Sequence, residues 1–308
     1  MIHRPFAAVV LAAVLSWAAP LAAEPGRVTI GFAQDNMRND WRAAQVHAVR
    51  DALAGHDHVD FLYTDAGGSL AQNILDIEDL IDHGIDLLML SPSNPVAMAP
   101  VVEAIHARGI PVVLLTRRLA SEGYTTFVGP SDRQIAAQAA ATLAEALDGQ
   151  GRVVMLKGVP TATTAIDRSE GFITALEQHP GLTLVATEVA NYLRADAIQA
   201  IERLLADGLA FDAIYAQSDS MAEGARLALR QAGIDPASVA IVGIDYITPA
   251  REAIRAGEQL ASFTYPTSGT EAAALALRLL AGETVPREVE VPSVRVTAEN
   301  VEQVEPIF

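Results

Sequence analysis

VTIGFAQ, residues 28–34, is a short, mostly apolar run with β-branched residues, and NDWRAAQ, residues 39–45, opens an amphipathic, Ala-rich stretch a few residues later. A run with no regular polar alternation is expected of a strand covered on both faces, and the stretch after it has the spacing of a helix lying over such a sheet. The pair reads as the first strand-to-helix turn of a parallel α/β sheet. The design recurs in VDFLYT (59–64), DLLMLS (86–91) and PVVLLT (111–116), with helical patterns near 39–54, 69–83 and 95–108. TTFVG (125–129) then leads through Pro130-Ser131-Asp132 into a helical pattern over 132–147, which opens a second series. That series holds RVVMLKG (152–158), LTLVATEV (182–189), FDAIYAQ (211–217) and VAIVGID (239–245), with helices near 167–178, 195–207, 219–232 and 247–256.

Two such series predict two similar α/β lobes, each a doubly wound parallel sheet. No long Pro/Gly/Ser-rich linker separates them, so the lobes are expected to pack closely. LASFTY (260–265), a helix near 267–281 and VEVPSVRVT (289–297) are too short for a third domain and must return to lobes already built. Repeated crossing between rigid lobes makes a hinge. The expected division is 24–130 with 266–290 in an N-terminal lobe, and 131–265 with 291–308 in a C-terminal lobe.

The chain has 308 residues, half of them apolar, enough to bury a large core. Its first residues, MIHRPFAAVVLAAVLSWAAPLAAEPG, run from Arg4 through an apolar stretch to small residues. That stretch is shorter than the roughly 20 residues of a membrane span, which favours a secretory signal over residues 1–23 against a membrane anchor or buried first helix. The location expected is periplasmic. There is no cysteine, so a lipid anchor and disulfides are both excluded. A formal charge of -17, of which residues 1–23 contribute only Arg4, excludes nucleic acid and anionic lipid surfaces as partners by repulsion.

In open parallel sheets ligands bind beyond the carboxyl ends of the strands. Those positions hold Asp40, Trp41 and Arg42; Ser91 to Asn94; Thr116, Arg117 and Arg118; Thr161 to Arg168; Asn191 and Tyr192; Gln217, Ser218 and Asp219; Asp245 and Tyr246; and Tyr265. The mixture suits polyols and sugars, whose hydroxyls both donate and accept while their C–H faces stack on aromatic rings. Ser218 or Asp219, and Asn39 or Asp40, are also suited to cap the helices they precede. No GxGxxG follows the first strand, and neither GxxxxGK[ST] nor GxSxG occurs, so dinucleotide, P-loop and hydrolase readings lack their fingerprints. His56 and His58 have no third ligand nearby, and Asp76, Glu78, Asp79 and Asp82 lack EF-hand spacing. No His stands at a strand end, and neither an enzyme, a metal nor a cofactor is expected.

In order and spacing, GFAQ followed by NDWRAAQ, DLLMLSPSNP, GIPVVLLTRR, DRSEGF, IYAQSDSMAEGA, IVGIDY and LASFTYP resemble the periplasmic sugar-binding proteins of ABC importers, of the ribose- and galactofuranose-binding type. The likeness covers nearly all of the chain beyond the signal. It implies the type I periplasmic binding protein fold, two lobes joined by three crossings and closing on one small carbohydrate. By the same resemblance the carbohydrate is expected to be a monosaccharide, polyol or sugar acid, and the protein a monomer that docks on an inner-membrane permease. A sensor that hands its closed form to a chemoreceptor or kinase would share the cleft. A repressor's ligand domain would instead carry a basic helix-turn-helix at the N-terminus. By the resemblance, the ligand-binding positions are Asn39, Trp41, Arg42, Ser91, Thr116, Arg117, Arg168, Tyr192, Ser218, Asp245 and Tyr265. Thr116 stands where many members have Asp, and Ser91 and Ser218 where many have Asn, which puts ribose itself in doubt. Arg42, Arg117, Arg118 and Arg168 leave room for an acidic sugar. Trp41 is expected to stack on the sugar, so that Trp41→Ala removes binding and spares the melting behaviour.

Overall fold

The computed structural model describes residues 26–308, and the expected signal segment, residues 1–23, lies outside them. The first sheet is built from β1 (Val28–Gln34), β2 (Val59–Asp65), β3 (Leu87–Leu90), β4 (Val112–Leu115) and β5 (Thr126–Gly129). Between these strands run α1 (Asp40–Leu53), α2 (Leu70–Asp82) and α3 (Pro95–Ala107). After α4 (Asp132–Ala146) comes the second set: β6 (Gly151–Lys157), α5 (Thr163–Leu176), β7 (Leu182–Val189), α6 (Arg194–Ala206), β8 (Ala213–Ala216), α7 (Asp219–Gln231), β9 (Ala240–Asp245), α8 (Thr248–Arg255) and β10 (Ala261–Thr264). The chain ends with α9 (Gly269–Leu280), β11 (Glu288–Glu290) and β12 (Arg295–Val296).

The two sheets run β2-β1-β3-β4-β5-β11 and β7-β6-β8-β9-β10-β12. All pairings are parallel except β10 with β12. The continuous apolar runs explain the geometry: β3, β4, β5 and β8 are buried at every residue, whereas the edge strands β2 and β7 are mostly half-buried or exposed. In both sheets the strand order turns back beside the first strand, which opens a crevice at the carboxyl ends.

The chain passes between the sheets at Pro130-Ser131, at Tyr265 to Thr267, and at Pro292-Ser293, because α9 and β11 return to the first sheet and β12 to the second. Ala272, Ala273 and Ala276 of α9 pack with Val46 and Val49 of α1 in one apolar cluster. Side chains cap most helices of the first lobe. Asn39 accepts from Arg42 N–H, Ser69 from Gln72 N–H, and Asn94 from Val96 and Ala97 N–H ahead of Pro95. Helix α5 is the boundary that departs most from expectation, starting at Thr163 rather than near 167. Its first turn rests on Ala162, which offers no capping side chain, so the segment TATT carries no sequence signal of a helix start.

Candidate functional site

Strand ends of the two sheets face one another across a cavity of about 340 Å³. That is near the lower end of the ~300–1,000 Å³ of small-molecule sites. Its walls include Asn39, Trp41 and Arg42 from the start of α1, and Arg117 after β4. From the other lobe come Arg168 of α5, Tyr192 after β7, Asp245 at the end of β9 and Tyr265 after β10. Eight of the eleven positions expected from the sequence therefore meet here.

The other three stand behind the wall. Ser91 Oγ lies 2.8 Å from Arg42 Nη1 and accepts from it, and Thr116 Oγ1 is 3.4 Å from Ser91 Oγ. Ser218 caps α7, accepting from Met221 N–H at 3.3 Å. A small hydroxyl on the floor of a crevice is shortened out of reach of the cavity and spends its bond on the neighbouring wall. Of the cationic positions, Arg118 turns away from the cavity, its guanidinium 3.7 Å from the Phe127 ring centroid and paired with Glu288. Asp40 does not cap α1; Asn39 does.

Two buried ion networks hold the walls. In the first lobe Asp35 Oδ2 accepts from Arg117 Nη1 at 2.8 Å, while Asp35 Oδ1 lies 3.7 Å from Arg42 Nε. Burial disfavours the Asp35 carboxylate, but Arg117 and then Arg42 outweigh it and hold its pKa below the ordinary value. Burial, reinforced by the Arg117 cation, draws Arg42 down to about 10 despite Asp35. In the second lobe Arg168 Nε donates to Asp132 Oδ1 at 2.7 Å and its Nη1 to the Gln217 carbonyl. Tyr265 O–H donates to Asp132 Oδ2 at 3.1 Å, and the Arg168 guanidinium lies 4.2 Å from the Tyr265 ring centroid. Burial works against both ions of this pair. Asp132 overcomes it for Arg168, held well above the ordinary guanidinium value, whereas the Asp132 carboxyl stays above the usual carboxylate range.

Two polar groups on the wall lack protein partners. Arg117 Nε is buried with no hydrogen bond, and the Asp245 side chain, on the cavity wall, has no donor among the described residues. Burial raises Asp245 well above the carboxylate range, with Arg168 the strongest opposing influence. Asp245, on the cavity wall, is free to take a partner there, whereas Arg117 Nε is sealed from the cavity and its unpaired state is a cost of roughly 1–3 kcal/mol carried by the wall itself. The backbone around them is unusual too. Thr116, Asn191, Tyr192, Asp245 and Tyr246, all at strand ends, have positive φ, a conformation side-chain-bearing residues seldom adopt and which collects at functional sites.

Contacts bridge the lobes at the rim: Asn39 Nδ2 donates to Tyr192 O at 2.9 Å, Thr161 Oγ1 to Ser93 O at 2.8 Å, and Arg118 N–H to Thr163 Oγ1 at 2.9 Å. The Tyr192 ring reaches the wall over Gly158, where a β-carbon would fall 2.0 Å from the ring. Sequence reasoning missed Asn36, Arg38, Gly67, Gly68, Val159 and Leu193 on the wall and Asp35 and Asp132 behind it. Strand-end position was the signal available for Asp35, which directly follows β1.

Trp41 corrects one expectation. Its indole Nε1 donates to the Tyr265 carbonyl at 2.9 Å, and its ring joins the apolar cluster of the second lobe with Ile135, Phe172 and Phe263. Trp41 thus cements the lobes as well as lining the cavity. Trp41→Ala should weaken binding by at least about ten-fold and also enlarge the radius of gyration measured by small-angle X-ray scattering, because it deletes an aromatic contact between the two lobes. An unchanged radius would make the residue a wall of the cavity alone.

The comparisons agree with this geometry. A D-ribose/D-allose-binding protein of Pseudomonas aeruginosa is 31% identical over 234 residues, 72% of this chain and 73% of that protein. An ABC transporter solute binding protein from Bacillus halodurans C-125 with bound myo-inositol superposes with a TM-score of 0.86 at 26% identity, covering 92% of this chain and 98% of the other. The fructose-binding periplasmic domain of a hybrid two-component system gives 0.85 at 28% identity, covering 89% and 92%. The model of the periplasmic binding protein domain matches residues 30–284, and with two parallel-sheet lobes closing on a polar, aromatic cavity the chain belongs to that family.

Proposed function

We propose that this protein captures a small sugar or polyol in the interlobe cavity and delivers it to the permease of an ABC transporter, acting as a monomer in the periplasm and without catalysis. The observation that carries the reading is the cavity wall itself. It presents the unpartnered carboxyl of Asp245, the arginines Arg42, Arg117 and Arg168, and the rings of Trp41, Tyr192 and Tyr265. A ligand bearing several hydroxyls on a compact C–H framework answers all of these at once. Ligand that bridges both lobes favours the closed arrangement by its differential affinity for it. The likeness to a two-component sensor domain supports a second use of the same cavity, in which the closed form is read by a kinase.

Calorimetry with a panel of pentoses, hexoses, polyols and sugar acids tests the binding; no hit across the panel overturns it. The same titrations carry a pH signature. Ligand hydroxyls donate to ionised Asp245 and so lower a pKa that burial has raised, while Arg168, Asp219, Arg42 and Asp132 surround it in both states. Binding should therefore release a proton, and affinity should fall as pH drops below the raised pKa of the ligand-free site and level off above it. Binding enthalpies measured in buffers of different ionisation enthalpy report the proton directly.

A further inference from the structure

Asp219 opens α7 yet does not cap it, since Ser218 already accepts the Met221 N–H. Its carboxylate is wholly buried and stands outside the cavity wall, beneath the end of β9. Oδ2 accepts from Tyr246 N–H at 2.7 Å and from Ser262 Oγ at 2.5 Å, and Oδ1 accepts from Gln259 Nε2 at 2.7 Å. Gln259 is itself fixed by the Arg226 guanidinium, which donates to its amide oxygen. Gly243, two residues before Asp245, makes room for this arrangement: a β-carbon there would fall 1.9 Å from Asp219 Oδ1.

The bonds converge on one peptide unit. Its N–H belongs to Tyr246 and goes to Asp219 at 2.7 Å, with a second, longer acceptor at 3.2 Å in Ser262 Oγ, which Asp219 itself holds in place; its carbonyl belongs to Asp245 and accepts from Tyr265 N–H at 3.2 Å. The residues on either side have φ of 117° at Asp245 and 59° at Tyr246, so without outside bonds the turn would relax toward ordinary extended backbone. The Tyr246 hydroxyl, donating to the Val301 and Val304 carbonyls, anchors the side away from the cavity. We propose that Asp219 is the positioning residue that clamps the Asp245–Tyr246 turn and so aims the Asp245 carboxyl into the cavity, an inference that rests on reading the cavity as a sugar site. The clamp also ties Asp245 to Tyr265, so one buried carboxylate sets two walls.

Burial pushes Asp219 up to about 6, opposed by its bonds to Ser262, Gln259 and Tyr246 and by the Arg226 cation. Asp245 is the neighbouring carboxyl, and Asp219 raises its pKa further. The charge on Asp219 is thus legible from outside through the Tyr246 amide that it holds.

Amide NMR and calorimetry of the parent, Asp219→Ala and Asp219→Asn, with D-fructose and myo-inositol as probes, test the proposal. In the parent the Tyr246 amide resonance should titrate with a midpoint near 6, and in both variants that step should vanish while any step from the adjacent Asp245 carboxyl remains. Asp219→Ala should move the Asp245 Cα shift toward extended values and weaken the bound probe by about 30-fold, the effect of losing one charged hydrogen-bond partner. Asp219→Asn keeps an acceptor for Tyr246 N–H and should restore the Asp245 shift, with affinity within about five-fold of the parent. Unchanged Asp245 and Tyr246 shifts in Asp219→Ala, or equal affinity losses in the two variants, overturn the positioning role. If neither probe binds the parent, it is the sugar reading that loses support, and the NMR comparison still decides the clamp. Should Asp219→Ala not fold, Asp219→Ser, too short to reach Tyr246 N–H, supplies the same comparison.

Discussion

Replacing Arg168 by alanine should destabilise the second lobe by about 3–5 kcal/mol and abolish sugar binding in one step, because it leaves the buried Asp132 carboxylate without its cation. Arg168 is 2% exposed, and each of its contacts does something different. Nε pairs with Asp132 at the start of α4, Nη1 ties α5 to the end of β8 at Gln217, and the guanidinium plane lies beside Tyr265 at the second crossing. Asp132 follows the first crossing directly, so the Asp132–Tyr265 bond joins two strands of the hinge through one carboxylate. Arg168→Lys keeps a charge but neither the fork nor the stacking plane, and should recover little of the binding. The informative companion is Arg168→Met with Asp132→Leu. Removing both ions and filling the volume with apolar atoms should return most of the lost stability while binding stays abolished. Chemical denaturation and calorimetry on the same three proteins separate the two effects. If the single variant binds sugar normally, Arg168 is a strut of the lobe and touches no ligand.

The strands of both lobes were legible because each is a short apolar run bounded by turn residues, and strand-end position alone gathered most of the cavity wall. It did so without distinguishing residues that reach the cavity from those one layer back. Ser91, Thr116 and Ser218 occupy the expected positions, but a short hydroxyl at a strand end bonds its nearest wall or helix start first. Asp35 and Asp132 escaped notice for the opposite reason. In sequence they look like turn and helix-start residues, and their importance lies in partners 82 and 36 residues away. Trp41 shows the same limit. Its aromatic ring at a strand-end turn marked a wall, while its share in the apolar cluster of the other lobe depends on how the lobes close, which no local pattern encodes.

Asp35→Ala should be the most damaging change on the opposite wall, costing about 3–5 kcal/mol, because one carboxylate serves two buried guanidiniums. Arg117 is 1% and Arg42 6% exposed, and the repulsion between them already contributes to holding Arg42 at about 10. The pH dependence has a definite sign. The folded pKa of Asp35 lies below its ordinary value of 3.8, so its contribution is fully present above that value and is lost as pH falls through the lower folded one. Asp35→Asn should therefore flatten the acid end of the stability curve measured by denaturant titration. It should also change what the cavity prefers. With the shared carboxylate gone, the excess positive charge of Arg42 and Arg117 is left to the ligand, and a sugar acid supplies the counter-charge that a neutral sugar lacks. The affinity ratio of D-galacturonate to D-galactose should rise by about ten-fold over the parent, an electrostatic gain of ordinary size for a desolvated pair. A ratio that stays fixed would mean that Asp35 neutralises the two arginines for the sake of the fold and that neither cation is read by the ligand.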